Sequence, residues 1–114
     1  MRHIVIAAAL AALPAAALAH HGWSSYDAKT PIKLTAALSD VSWSNPHGTA
    51  QVSYNGKPWA VVLAPTARME ARGLTEAMLK TGKPVTIEGY PRSDGTTEMR
   101  IERVTAGGKT IELR

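Results

Sequence analysis

The chemistry this sequence can offer begins at His20-His21, directly after Ala17-Leu18-Ala19. Small side chains at Ala17 and Ala19 are what a signal peptidase requires before its cut, so the mature chain is expected to begin at His20. A histidine at a free N-terminus offers its α-amine and its ring Nδ1 to one metal ion. A third nitrogen from a second histidine completes the T-shaped set called a histidine brace. His47 is the candidate for that nitrogen, and the adjacent His21 a less comfortable one. Amine and imidazole donors suit Cu(II), which heads the divalent affinity series at nitrogen sites. Zinc is the weaker alternative: it also takes histidine nitrogens, but a structural zinc site usually needs four protein ligands. Pro46 stiffens the loop before His47 and so lowers the entropy lost on ligation. Asp27 and Asp40 qualify, by type alone, as weak axial or supporting groups.

Other chemistry is thinly supplied. Ser42 or Ser44 with His47 and Asp40 could be drawn as a Ser-His-Asp set, but such residues surround many turns. Neither a nucleophile elbow nor an HExxH pair occurs. Glu98 and Glu102 have strand spacing and are expected on a solvated face. No catalytic residue is assigned. The competing functional reading is a metal-free interaction module that binds a periplasmic protein, a glycan or a small ligand on its sheet face or edges. The two readings part on whether His20 is free and whether His47 lies within chelating reach of it.

The elements that must position these residues start with the leader. Met1-Arg2-His3 is a short basic region, and Ile4 to Leu13 is an uncharged apolar run. That run is too short to span a bilayer and has the length of a secretory signal core. Residues 1–19 are therefore expected to be cleaved, leaving a periplasmic or secreted protein with no stable membrane insertion. Residues 20–31 form a lead-in, and residues 32–114 a single β-barrel domain. The chain carries 13 Lys and Arg against 9 Asp and Glu. The basic residues are scattered, which reads as solvation rather than as a nucleic-acid footprint. Cysteine is absent, which excludes a disulfide framework and a thiolate metal site.

Within 32–114 the patterning is that of strands. Ile32, Leu34, Ala36 and Leu38 alternate, and then Val41 and Trp43 continue the alternation out of phase. A one-residue slip would turn the apolar face outward, so a β-bulge is expected near Ser39 and Asp40. Ser44-Asn45-Pro46-His47-Gly48 reads as a turn. Ala50, Val52 and Tyr54 make a second strand, Asn55-Gly56 a type I′ hairpin turn, and Trp59, Val61 and Leu63 a third strand. Pro65 to Leu79 is expected to be helical. Thr66 caps a first short helix that Gly73 stops, and Thr75 caps a second turn with Glu76 in it. Val85, Ile87 and Gly89 open a fourth strand, where the glycine marks a bend or a close backbone approach. Met99 and Ile101 lead a fifth strand, with Arg103 on the same face and a phase slip before Val104. Ile111 and Leu113 end the chain after Gly107-Gly108.

The fold class expected is all-β: a small five- to six-stranded OB-like Greek-key barrel with a short helical insertion between strands 3 and 4. A β-sandwich would need about seven strands. The expected core includes Leu34, Trp43, Val61, Ile87 and Ile101. Trp23 and Tyr26 order the lead-in only if they find a surface to cover.

Four pieces of the chain carry a further likeness. His20-His21-Gly22-Trp23, Val41-Ser42-Trp43-Ser44-Asn45-Pro46-His47, Gly56-Lys57-Pro58-Trp59 and the run Gly82 to Pro91 resemble small exported bacterial proteins of domain-of-unknown-function family 6152. The resemblance covers the chain from His20 onward. It implies export and a compact β domain, and it supplies no activity.

Overall fold

Leu38 is buried while Ser39 and Asp40 are exposed, and Asp40 takes a left-handed backbone (φ 48°). The expected first strand is interrupted at Ala37 and Leu38, which divide it into β1 (Ile32–Ala36) and β2 (Ser39–Ser42), with Asp40 inside β2. The computed structural model describes residues 22–114. Beyond those two strands it contains β3 (Thr49–Tyr54), β4 (Lys57–Val62), helices α1 (Thr66–Ala71) and α2 (Glu76–Leu79), β5 (Val85–Pro91), β6 (Glu98–Ala106) and β7 (Lys109–Glu112). The described strands therefore number seven, against the five to six expected. The predicted bulge is present as a register shift between Ser39 and Ser42 against β3.

All seven strands join one sheet in the order β1-β5-β6-β4-β3-β2, with β7 added to β6. The single sheet rules out the two-layer sandwich. The two ends of that path, β1 and β2, are separated in sequence only by Ala37 and Leu38, so the sheet must curl into a half-barrel. β6 is the hub. Its first residues run parallel to β4, from Ala60↔Glu98 to Val62↔Arg100, and its last residues run antiparallel to β7. β5 lines its other side. There Glu88 opposes Arg103 and Gly89 opposes Ile101, which leaves Glu102 as the extra residue. This is the phase slip expected before Val104, and it turns Arg103 away from the core into ion pairs with Glu88, Glu102 and Glu112. Gly89 meets the backbone predicted for it: a Cβ there would overlap the Arg100 carbonyl oxygen.

The hairpin at Asn55-Gly56 has both residues at positive φ, 51° and 75°, as a type I′ turn demands. The helical insertion is a pair of short helices. Thr66 is the first helical residue and makes no capping bond; the carbonyl of Pro65 instead accepts from the amides of Arg68 and Met69. Gly73, at φ 96°, ends α1 as expected, and Thr75 precedes α2. Met69, Leu74 and Leu79 from this insertion close the core over Val61, Leu63, Ile87, Met99, Ile101 and Val104, all at most 1% exposed. Full burial of each such side chain stabilises the fold by about 1.5–3 kcal/mol. Val61, Ile87 and Ile101 are core residues, as predicted. Leu34 and Trp43 are only half-buried at its margin. Among the described residues no helix is long and apolar enough to cross a membrane.

Candidate functional site

His47 sits in the loop between β2 and β3, and the helical insertion fixes that loop. The Gly48 amide donates to the Ala64 carbonyl at 2.9 Å, and the Gly48 carbonyl accepts from the Leu63 amide at 2.9 Å. Gly48 lies under α1 so closely that a Cβ would come 2.8 Å from the Met69 Cε. On the other side of the loop the Trp43 indole N–H donates to Glu70 of α1 at 2.8 Å. The Asn45-Pro46 peptide is cis. His47 is half-buried, and its proton affinity lies below that of an ordinary histidine. Burial is the main cause, followed by the positive charges of Arg100 and Arg68. The ring therefore keeps its neutral, ligating form to lower pH than usual.

Arg100 connects this loop to the beginning of the described chain. A 3-10 turn over Gly22–Ser25 lays Trp23 against the outer surface of β5 and β6. The Trp23 ring meets Tyr90 edge-on at 6.2 Å and Tyr26 edge-on at 6.4 Å. The guanidiniums of Arg100 and Arg114 each lie 4.5 Å from its centre. Gly22 is beside the same Arg100, since a Cβ there would be 3.9 Å from Nη1. The lead-in thus has its surface to cover. It is pinned by Asp27 N–H to the Pro91 carbonyl at 2.8 Å, Ser93 N–H to the Ser25 carbonyl at 2.9 Å, and the Tyr26 hydroxyl donating to Glu98 at 2.5 Å. Burial, together with the Glu98 bond and charge, pushes the Tyr26 phenol up to about 12.

The expected ligands are therefore only partly in view. His20 and His21 lie outside the described residues. His47 is the one histidine among those described, and the described residues contain no cluster of three metal-ligating side chains. Asp27 is occupied by its own turn, accepting from the Lys29 amide and the Thr30 hydroxyl. Asp40 occupies the left-handed position in the bulge, and Ser42 and Ser44 share a hydrogen bond with each other. Nothing draws them into a Ser-His-Asp set with His47.

Arg100 and Arg114, distant in sequence, share the Trp23 ring, and the charges of Arg100 and Arg68 act on His47. The scattered-charge reading missed this cluster. Glu98 and Glu102 are also not on a solvated face. Glu98 accepts from Tyr26 and Arg92, and Glu102 from Tyr90 and Arg114, with 25% and 18% of their side chains exposed. The only local signal was that Arg100 alternates with Met99 and Ile101 and so faces outward. Its neighbours come from segments that no spacing rule connects to it.

The arrangement sets a neutral imidazole within the field of uncompensated cations. Such a field repels protons and metal ions alike and attracts anions. No curated protein matches this sequence. The match to the family of unknown function (DUF6152) runs over residues 8–100, from before the lead-in through the His47 loop and β5 to Arg100 in β6, so the chain belongs to that family.

Proposed function

We propose that the protein is an exported copper-binding protein that holds one Cu(II) in a histidine-brace-like site, in transport, storage or tolerance of the metal. His20 supplies its amine and ring, and His47 the third nitrogen, with His21 the less favoured substitute. The observation that carries this reading is the double role of Arg100. Gly22, two residues after His20 in sequence, is beside the guanidinium whose charge acts on His47. The lowered proton affinity of His47 favours the form that binds metal. The neighbouring arginines weaken cation binding, which suits a site that hands its metal on more than one that stores it.

The scaffold in this reading is an OB-like Greek-key barrel over residues 32–114. Taking β1 and β2 as halves of one broken strand turns the sheet path into a closed circuit of five strands. Its third and fifth members, β4 and β6, are then the parallel pair.

Calorimetric copper titration of three proteins tests the proposal: the chain beginning at His20, the same chain with one residue added before His20, and the His20 chain carrying His47→Ala. The added residue converts the amine to an amide and should abolish tight binding. His47→Ala should weaken it at least tenfold, about 1.4 kcal/mol. Equal binding by all three would place the copper on an adventitious surface site and leave the metal-free interaction module as the better reading.

A further inference from the structure

Six arginines lie among the described residues, and five have found oxygen acceptors. Arg68 donates to the Leu113 carbonyl, and Arg72 to the carbonyls of Glu112 and Arg114. Arg92 donates to Asp94 and Glu98, Arg103 to Glu88 and Glu112, and Arg114 to Glu102. Arg100 differs. Its Nε is buried without a hydrogen-bond partner, and no carboxylate lies within ion-pair distance of its guanidinium.

The deficit does not come from a lack of nearby acids. Glu98 and Glu102 flank Arg100 on the same face of β6. Each is drawn away, Glu98 by Tyr26 and Arg92, Glu102 by Tyr90, Arg103 and Arg114. Residues 1–21 contain no Asp or Glu, so the chain has no further acidic side chain to supply. A half-buried guanidinium next to other guanidiniums, with no counter-charge, is costly for the fold to hold empty-handed. Arg100 and Arg114 both lie over Trp23, so their charges are within twice 4.5 Å of each other.

We infer that Arg100, with Arg114 beside it over Trp23, is a binding site for a small anionic group with two adjacent oxygens, a carboxylate or a phosphate. A guanidinium presents paired N–H donors that match such a group, and stacking on an indole holds it in place at low entropic cost. Trp23 forms the flank of the site and reports on its occupancy. The site requires no metal and stands whether or not copper binds at His20.

The test is a nuclear magnetic resonance titration of the exported chain, freed of metal on a chelating resin so that no soluble chelator competes. Inorganic phosphate and acetate are the probes, used separately at constant ionic strength. Saturable shifts are expected at the Trp23 indole N–H and the Arg100 Nε–H. Arg100→Gln should weaken binding at least tenfold while leaving amide signals in the Met69 and Ile87 core unchanged. Saturation by phosphate alone assigns a phosphate ligand, and saturation by acetate alone or by both assigns a carboxylate-accepting site. Linear shifts spread over the lysines with both anions would overturn the proposal, as would unaltered affinity in Arg100→Gln. Should that variant fail to fold, the Arg100 Nε–H response of the unmodified protein decides the matter alone.

Discussion

The two faces of β6 are built from alternate residues of one strand and follow different rules. On the inner face Met99, Ile101, Val104 and Ala106 are buried among apolar neighbours from the sheet and the helical insertion. That face works by exclusion of water and close packing, and any apolar residue of the right volume would nearly suffice. On the outer face Glu98, Arg100 and Glu102 are half-covered by a short lead-in whose bulk is two aromatic rings. That face works by pairing: each carboxylate has its particular donors, and one charge, Arg100, has the Trp23 ring but no carboxylate. The inner face tolerates exchange among apolar residues, whereas on the outer face each substitution removes a particular partner.

The β5–β6 pair is least tolerant at Gly89, where it admits no side chain at all. Gly89→Ala drives a methyl group into the Arg100 carbonyl oxygen, a backbone atom that cannot turn aside. It is expected to cost more than about 4 kcal/mol, the range reserved for failures of this kind, or to prevent folding; urea unfolding or the absence of soluble protein reads the outcome. A loss below about 1 kcal/mol would mean that the two strands part easily there. On the inner face, Ile101→Ala should cost about 2–5 kcal/mol by the same measurement, through lost transfer energy and the cavity left behind.

The outer face sets smaller expectations. Trp23→Ala removes two edge-on ring contacts and the seat of two guanidiniums, and it should cost about 2 kcal/mol in urea unfolding. Hydrogen exchange sharpens the distinction between the faces. The Asp27 and Ser93 amides, bonded across the lead-in, should lose protection in Trp23→Ala while the Ile87 and Val104 amides keep theirs. Uniform loss across all of them would mean that the lead-in is part of the main cooperative unit. Tyr26→Phe deletes only the hydroxyl bond to Glu98 and should cost about 1 kcal/mol.

The inner face could be read from the sequence because a two-residue period fixes which side chains share a surface. Val61, Ile87 and Ile101 follow from alternation, and Asn55-Gly56 from the φ that its turn requires. Gly89 was legible for the same reason, since glycine within a strand has few other causes. Even the bulge at Ser39 and Asp40 showed as a change of phase. What alternation misses is partnership across long sequence separations. Trp23 covering Arg100, or Arg68 reaching Leu113, leaves no periodic mark, so clustered arginines read as scattered and bonded glutamates as solvated. The Trp43 indole was misjudged from the same cause. Its spacing suits a core residue, but its N–H is turned outward to Glu70 on α1.

His47 gives the smallest effect and the most direct view of the outer-face charges. Its proton affinity is depressed below the ordinary value of 6.5, first by burial and then by Arg100 and Arg68. The unfolded chain, where His47 is ordinary, therefore binds the proton more readily than the folded one. By linkage, His47 favours the fold fully above about pH 6.5, and this contribution is lost as pH falls through the lower folded value. The ring proton resonances of His47, followed by pH titration, should give a midpoint below the ordinary one. Arg100→Gln should move that midpoint upward by removing one repelling charge while leaving the burial in place. Replacing His47 by Gln should flatten part of the acid limb of the stability curve. If His47 instead titrated at or above its ordinary value, Arg100 could not be the unneutralised charge that the outer face makes it, and the difference between the two faces of β6 would reduce to exposure alone.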